Sequence, residues 1–216
     1  MAECTGQPGA QSGPAMDIKA YWKEIAARPD WKDYILPRTD ALDFEIEGMI
    51  EAQRLFHFFD GESTVIDYGC GIGRVIQYIA QKAKRAIGLD ITQSFLRKAR
   101  AAVPNAEFYA TDDYEEEGIA DLVYCFMVMQ HNDQTGRERI MEHIGHLLKM
   151  GGTAIVSFPS DKSTYYKENK NLHKFTRDEV RWFGQKFDSR IVEGNLAGYA
   201  KPASGMNEYF LISVKC

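Results

Sequence analysis

The sequence of 216 residues has no long apolar run, few cysteines and no excess of positive charge. No run approaches the roughly 20 apolar residues that a membrane-spanning helix requires, so we expect a soluble protein. The N-terminus lacks the basic segment and apolar stretch of a secretory signal, which favours the cytoplasm. With 26 Lys and Arg against 31 Asp and Glu, the net charge is -5, which argues against nucleic acid as the main partner.

The four cysteines are Cys4, Cys70, Cys125 and Cys216, and they lie far apart in the chain. None of their spacings is that of a metal site or of a redox-active pair. The sequence therefore predicts reduced thiols in a reducing compartment and no metal site.

The length suits one well-sized core with additional segments around it. We expect a flexible tail over 1–16, which is rich in Gly, Gln, Ala, Pro and Ser, and a single domain over 17–216. Within that domain the patterns predict N-terminal helices over 17–60, a ligand-binding core over 61–158, and a lid loop with terminal strands over 159–216.

Strand-like and helix-like segments alternate from Thr64 onward. The predicted strands cover 64–68, 86–89, 107–110, 121–127, 153–158, 190–193 and 208–215, and the predicted helices cover 72–82, 94–102, 134–149 and 177–187. In the N-terminal part, a helical stripe of Leu42, Ile46, Met49 and Phe56 is expected to pack on the main domain. The alternation predicts a mostly parallel sheet with helices on both faces and a ligand crevice at the carboxyl ends of its strands.

A glycine-rich turn, Gly69-x-Gly71-x-Gly73, joins the first strand to the next helix. Glycines let backbone amides approach a ligand closely, although they also serve tight turns that bind nothing. Asp67 precedes the turn, and Arg74 stands where a dinucleotide fingerprint has its third glycine. A carboxylate here opposes a pyrophosphate and suits a cationic ligand.

Acidic side chains follow the next two strands. Asp90 comes about 20 residues after the loop, where an acid accepts hydrogen bonds from ribose hydroxyls in dinucleotide and methyl-donor sites alike. Thr111, Asp112 and Asp113 follow the third strand, within reach of an adenine amino group. These aspartates could equally cap helices, and the two roles are compatible.

These motifs, in this order and spacing over residues 63–158, resemble the class I S-adenosylmethionine-dependent methyltransferases. The resemblance implies a Rossmann-like α/β fold: a seven-stranded, mostly parallel sheet with an antiparallel last strand, helices on both faces and an N-terminal helical cap. It assigns cofactor binding to Asp67, Gly69, Cys70, Gly71, Gly73, Arg74, Asp90, Ile91, Thr111, Asp112, Asp113, Phe126 and Gln130. The segment 148–152 looks like the family's turn before the fifth strand, with Met150 where the family often has proline.

His131 follows the fourth strand, beside the expected position of the methyl group. An ordinary histidine pKa near 6.5 suits removal of a proton from a hydroxyl or ammonium nucleophile, so His131 is the candidate catalytic residue. The alternative is a hydrogen bond to the cofactor or the backbone. Tyr21, Trp22, Tyr165 and Tyr166 are the candidate substrate-binding residues, although Trp22, like Trp31, could simply anchor the N-terminal helices to the core.

The favoured function is transfer of a methyl group from S-adenosylmethionine to an oxygen or nitrogen of a small molecule. A protein or peptide methyltransferase is a second hypothesis and would need an open groove. A third is a cofactor-binding regulatory protein without transfer activity. A nicotinamide-dependent oxidoreductase is disfavoured by Asp67 and Arg74. The sequence does not indicate the acceptor, the pathway or the oligomeric state.

Overall fold

The computed structural model describes residues 17–35, 41–162, 172–193 and 208–215. The predicted tail over 1–16 and the candidate residues Tyr165 and Tyr166 lie outside the described residues. No helix in these ranges is both long and apolar enough to cross a membrane.

One sheet forms the centre of the molecule. Its strands are β1 Thr64–Tyr68, β2 Arg85–Asp90, β3 Glu107–Ala110, β4 Ala120–Cys125, β5 Leu148–Pro159, β6 Arg190–Glu193 and β7 Glu208–Val214. They are arranged in the order β3-β2-β1-β4-β5-β7-β6. Strands β1 to β5 pair in parallel, and β7 is antiparallel to both β5 and β6. The predicted seven-stranded sheet with an antiparallel last strand is confirmed.

Helices flank this sheet and precede it. They are α1 Ile18–Ala27, α2 Lys32–Ile35, α3 Ala41–Gln53, α4 Ile76–Ile79, α5 Gln93–Ala102, α6 Gln134–Leu147 and α7 Arg177–Lys186, with short 3₁₀ turns at Thr111–Asp113 and Met129–His131. Capping residues set several starts: the Asp17 side chain accepts hydrogen bonds from two backbone amides at the start of α1, and Asp133 accepts one at α6. The predicted N-terminal helices are therefore present.

The helix predicted over 72–82 is much shorter than expected, because α4 spans only Ile76–Ile79. Gly71 and Gly73 have φ values of 55° and 88°. These left-handed conformations are incompatible with a right-handed helix, so the helix begins only after the loop has ended. The predicted inward residues Val75, Ile76 and Ile79 are buried, and Ile72 is half-buried.

The stripe predicted for the N-terminal helix is wrong at two positions. Ile46 and Met49 are each 38% exposed, whereas Phe44 and Ala52 are buried. Residues 44, 48, 51, 52 and 55 form the buried face instead. This face contains a glycine and a glutamate, which an apolar periodicity does not detect.

The fifth strand begins earlier than predicted. α6 ends at Leu147, and β5 starts at Leu148, so the segment 148–152 belongs to an extended strand and not to a turn before it. Gly151 has a φ of 79°, and the pairing with β4 shifts register between Ala120 and Leu122. Gly152 has no room for a side chain, since a Cβ would lie 2.5 Å from the Ala120 carbonyl oxygen.

The sheet buries an apolar layer on each face. One layer includes Ile66, Leu89 and Val123 beneath α6 and α7, and the other includes Val65, Leu122 and Ile155 beneath the α4 and α5 side. The strand order reverses between β1 and β4, with β2 on one side of β1 and β4 on the other. In an open α/β sheet, the crevice at such a reversal is where ligands bind.

Candidate functional site

The loop after β1 is held against β2 and leaves open space at its tip. The backbone amides of Gly69 and Cys70 both donate to the Leu89 carbonyl oxygen, at 2.7 and 2.9 Å. A Cβ on Gly69 would lie 2.3 Å from a methyl group of Val128, whereas one on Gly71 would meet nothing within 4 Å. Gly69 therefore allows close packing, and Gly71 leaves its backbone accessible at the cavity wall.

Asp90 closes the loop from the end of β2. One carboxylate oxygen accepts a hydrogen bond from the Gly71 amide at 2.8 Å, and the other accepts one from the Thr92 amide at 2.7 Å. Burial raises the pKa of Asp90, and these two hydrogen bonds oppose the rise. A carboxylate oxygen can accept more than one hydrogen bond, so Asp90 has the capacity to accept a hydrogen bond from a ligand hydroxyl as well.

Asp67 is buried at the end of β1 and lines the same cavity. Burial raises the pKa of its carboxyl to about 8, against the opposing influence of Tyr124 and the Arg74 guanidinium. The group is therefore largely protonated at neutral pH. A cation placed beside it would favour the ionised form and release the proton.

Glu51 and Arg74 form a buried ion pair beside Asp67. The Glu51 Oε2 and Arg74 Nη2 atoms are 2.6 Å apart, and the two residues are 6% and 9% exposed. Both line the cavity. The pair influences the pKa of Asp67 in opposite directions, Arg74 lowering it and Glu51 raising it.

A cavity of about 270 Å³ lies over the carboxyl ends of β1, β2 and β4. Helices α1 and α2 cover it with Ile18, Trp22, Tyr34 and Ile35. The opposite wall comes from the segment after β4, where Met127 adopts a φ of 61° and donates its amide to Ser157 Oγ at 3.1 Å. Non-glycine residues rarely adopt this conformation, and such strain clusters at functional sites.

His131 ends the 3₁₀ turn after β4 and contacts the covering helix. Its imidazole meets the Trp22 indole edge-to-face, with ring centroids 4.9 Å apart. Burial lowers the pKa of His131 to about 4, so the imidazole is neutral at neutral pH. A neutral imidazole can accept a hydrogen bond, but with this pKa it is a weaker base than the ordinary histidine expected from the sequence.

Most of the predicted site residues lie around this one cavity. Those that line it are Trp22, Asp67, Gly69, Cys70, Gly71, Arg74, Asp90, Ile91, Thr111, Asp112, Phe126 and His131. Asp112 is exposed and also forms an ion pair with Lys19 of α1, with a distance of 2.8 Å between Lys19 Nζ and Asp112 Oδ2. The structure thus brings together side chains from the ends of three strands and from the N-terminal helices.

Four predicted residues of the described ranges lie outside the lining. Gly73 packs against α5, where a Cβ would lie 3.1 Å from a methyl group of Val103. Asp113 is exposed. Gln130 is buried, and its backbone carbonyl oxygen accepts a hydrogen bond from the His173 backbone amide. Tyr21 packs edge-to-face on Trp22, with ring centroids 5.4 Å apart. Their assignments as binding residues remain predictions.

Several residues of the cavity wall were not predicted from the sequence, and Glu51 is the most informative of them. The others include Ile18, Ile35, Phe95, Asn132 and Ile140. A glutamate on the buried helical face of Phe44, Gly48 and Leu55 was the available signal. No three His, Cys, Asp or Glu side chains of the described ranges come together as a metal site would require.

Strand order, the loop after β1 and the acid after β2 together define a class I methyltransferase fold. The family described as "Methyltransferase domain" matches residues 65–152. Over this segment, the match confirms the resemblance to methyltransferases that the sequence motifs indicate.

Solved structures support the fold over nearly the whole chain. Magnesium protoporphyrin IX methyltransferase from Synechocystis PCC 6803, solved with bound S-adenosylmethionine, superposes with a TM-score of 0.68 at 15% identity, over 95% of this chain and 100% of that one. A TehB-like methyltransferase from Corynebacterium glutamicum gives 0.63 at 17% identity, over 91% and 98%. At these identities the likeness concerns the fold.

Curated relatives are similar in sequence but longer. Phosphoethanolamine N-methyltransferase of Triticum aestivum is 25% identical over 92% of this chain and 39% of its own length. Trans-aconitate 2-methyltransferase of Enterobacter sp. strain 638 is 28% identical over 47% and 41%. The chain therefore spans less than half the length of these relatives.

Proposed function

We propose that this chain is an S-adenosylmethionine-dependent methyltransferase that transfers a methyl group to an oxygen or nitrogen of a small molecule. One observation carries the proposal: a single covered cavity joins the ligand-accessible loop at Gly71 and Asp90 to the aromatic pair Trp22 and His131. The residues proposed to bind the cofactor and those proposed to position the acceptor therefore line the same partly covered cavity.

The side chains present suit this cofactor. The Asp90 carboxylate lines the cavity and can accept hydrogen bonds from ribose hydroxyls in addition to those from Gly71 and Thr92. Asp67 can ionise beside the ammonium group. Ile91, Thr111 and Asp112 line the part of the cavity to which the proposal assigns the adenine. Arg74 Nη1 is buried without an acceptor among the described residues, and a ligand carboxylate would provide one. A pyrophosphate, by contrast, would enter a cavity that Glu51, Asp67 and Asp90 line.

When bound, the cofactor supplies a methyl group that its sulfonium already activates for in-line displacement. The chain then has to align the nucleophile and exclude water. The Trp22 and Ile18 side chains cover the cavity, and Phe126 and Val128, which follow β4, form an apolar part of its wall. His131 accepts a hydrogen bond from the N–H or O–H group of the nucleophile. This hydrogen bond orients the nucleophile so that its attacking lone pair faces the methyl group. Its lowered pKa favours this orienting part over removal of a proton from an ammonium group.

The small-molecule substrate follows from the cover that α1 and α2 place over the cavity. A protein or peptide substrate requires an open groove. A regulatory protein without transfer activity has no need of a covered site for an acceptor. The phosphoethanolamine and trans-aconitate enzymes of similar sequence are named for small acceptors, which favours the same class here.

The cellular compartment and the kind of partner are also part of the proposal. The buried thiols of Cys70 and Cys125 are free, which suits a reducing cytoplasmic compartment. The net charge of -5 speaks against nucleic acid as a partner.

Calorimetry with S-adenosylmethionine provides the first test. The wild type should bind, and Asp90→Ala should weaken binding strongly, whereas binding of NAD in its place would overturn the assignment. A transfer assay with labelled methyl donor then compares a metabolite extract with a protein extract. Label in the metabolites supports the proposal, label in protein supports the peptide alternative, and binding without any transfer supports the regulatory one.

A further inference from the structure

We propose that Glu51 of α3, outside the matched segment 65–152, forms with Arg74 a zwitterionic subsite that holds the amino-acid end of the methyl donor. The inference rests on the proposed function and deepens it. It extends the cofactor site to an N-terminal helix that neither the sequence motifs nor the family match assigns to it.

Three residues of α3 converge on Arg74. Gly48 has no room for a side chain, because a Cβ would lie 2.6 Å from the Arg74 carbonyl oxygen and 2.7 Å from Arg74 Cγ. The Phe44 ring lies under the guanidinium, with its centroid 5.4 Å from Arg74 Cζ. One turn further along, Glu51 accepts a hydrogen bond from Nη2 at 2.6 Å. Residues spaced four and three apart share a helix face, so one face of α3 holds this arginine.

The guanidinium is not fully satisfied by these contacts. Nη2 donates to Glu51, whereas Nη1 is buried with no acceptor among the described residues. Leaving such a donor unsatisfied is costly, and arginine is suited to binding a carboxylate through two nitrogens. A ligand carboxylate at the cavity wall beside Arg74 would satisfy this need, while Glu51 holds the guanidinium in its orientation.

The pair lies at the end of the cavity that suits an amino acid. Its charges act on Asp67 at the end of β1, whereas the Asp90 carboxyl at the end of β2 is governed by burial and by its bonds to Gly71 and Thr92. The carboxylates of Glu51 and Asp67 can attract an ammonium group, and the guanidinium of Arg74 can attract a carboxylate. The three side chains therefore complement both charges of an α-amino acid.

Binding of three related ligands tests this assignment by calorimetry. S-adenosylmethionine and S-adenosylhomocysteine carry the amino-acid end, and methylthioadenosine lacks it. Glu51→Gln should raise the Kd of the first two by about tenfold or more, equivalent to about 1.4 kcal/mol. It should leave the Kd of methylthioadenosine within about twofold of the wild-type value. Arg74→Gln should show the same selective loss of affinity. The exposed Glu45→Gln on the same helix is the matched control and should change none of the three.

The outcomes separate the possible explanations. Equal weakening of methylthioadenosine would mean that the pair only maintains the loop, and unchanged binding of all three would also overturn its role. If the wild type binds no S-adenosylmethionine, the proposed function itself fails, and the subsite with it. Should Glu51→Gln not fold because it leaves Arg74 buried and unpaired, the neutral double variant Glu51→Gln/Arg74→Gln replaces it and must show the same selective loss.

Discussion

The Trp22 indole stands nearly perpendicular to the His131 imidazole, with an interplanar angle of 84° and ring centroids 4.9 Å apart. One residue belongs to the first helix and the other to the turn after β4, so the contact spans the cavity between its cover and its floor. Through it, an N-terminal helix completes a site whose other parts come from the sheet.

Removing the indole should expose the reacting end to water. We expect Trp22→Ala to lower kcat/KM for the acceptor by roughly 10- to 100-fold, because the cover that orients the acceptor and excludes solvent is lost. The Kd of S-adenosylhomocysteine should change much less. Trp22→Phe retains an aromatic ring and should recover most of the rate. A loss of cofactor affinity as large as the loss of rate would instead place Trp22 in the cofactor subsite.

The lowered pKa of His131 predicts an unusual pH profile. Since this pKa is about 4, the imidazole stays neutral across the physiological range, and kcat should show no inflection near the ordinary histidine pKa of 6.5. His131→Ala should lower kcat by about 100-fold, at the lower end of what positioned proton acceptors contribute. An inflection near 6.5 that disappears in His131→Ala would contradict the neutral imidazole.

The same group predicts a loss of stability in acid. Between pH 6.5 and about 4, the unfolded chain protonates this imidazole while the folded chain does not. Proton uptake by the unfolded state stabilises it, so the free energy of unfolding should fall as the pH decreases through this window. Thermal denaturation at pH 5 and pH 7 measures the fall, and it should be smaller in His131→Gln. An equal fall in both proteins would assign the effect to other groups.

Cofactor affinity should rise with pH because Asp67 must ionise to face a cation. Its pKa of about 8 in the free protein means that binding at pH 7 releases a proton. The Kd should therefore decrease as the pH rises from 6.5 to 8, and level off above that value. Calorimetry in buffers of different ionisation enthalpy counts the proton directly. Asp67→Asn should bind weakly at every pH, and a pH dependence that survives this change would point to another group.

The close approach of α3 predicts opposite effects for two glycine substitutions. Gly48→Ala forces a Cβ against the Arg74 backbone and should destabilise the fold by about 1–3 kcal/mol, as overpacking does. Gly145→Ala lies within α6 where a Cβ meets nothing within 4 Å, so it should stabilise the protein by about 0.5–1 kcal/mol. Chemical denaturation of both variants provides the comparison, and a neutral Gly48→Ala would show that α3 can move away from the loop.

The sheet could be predicted because its information is local. The buried parallel strands 64–68 and 85–90 are rich in apolar residues, and Asp67 and Asp90 lie at their carboxyl ends. The motif residues Asp67, Gly71 and Asp90 accordingly lie around one cavity. Periodicity and motif spacing were sufficient for this part of the molecule.

The N-terminal contribution could not be predicted in the same way. The buried face of α3 includes Gly48 and Glu51, whose roles depend on Arg74, a residue that packs against them only after the sheet has formed. Ile46 and Met49 are apolar yet exposed, so hydrophobic pattern alone selected the wrong face. The lowered pKa of His131 arises from burial that includes the Trp22 contact, and burial is likewise a property of the assembled fold.

The ion pair between Lys19 and Asp112 links the covering helix to the strand-end residues beside the cavity. Both side chains are 63% exposed, so salt screens their attraction and either partner can be released at little cost. A ligand group that hydrogen-bonds the Asp112 carboxylate competes with the Lys19 ammonium for it. A ligand bound at Asp112 then weakens the attachment of α1. By thermodynamic reciprocity, the attached α1 weakens the binding of that ligand by the same free energy. The proposed role of Asp112 in ligand binding therefore predicts that ligand binding weakens the attachment of α1.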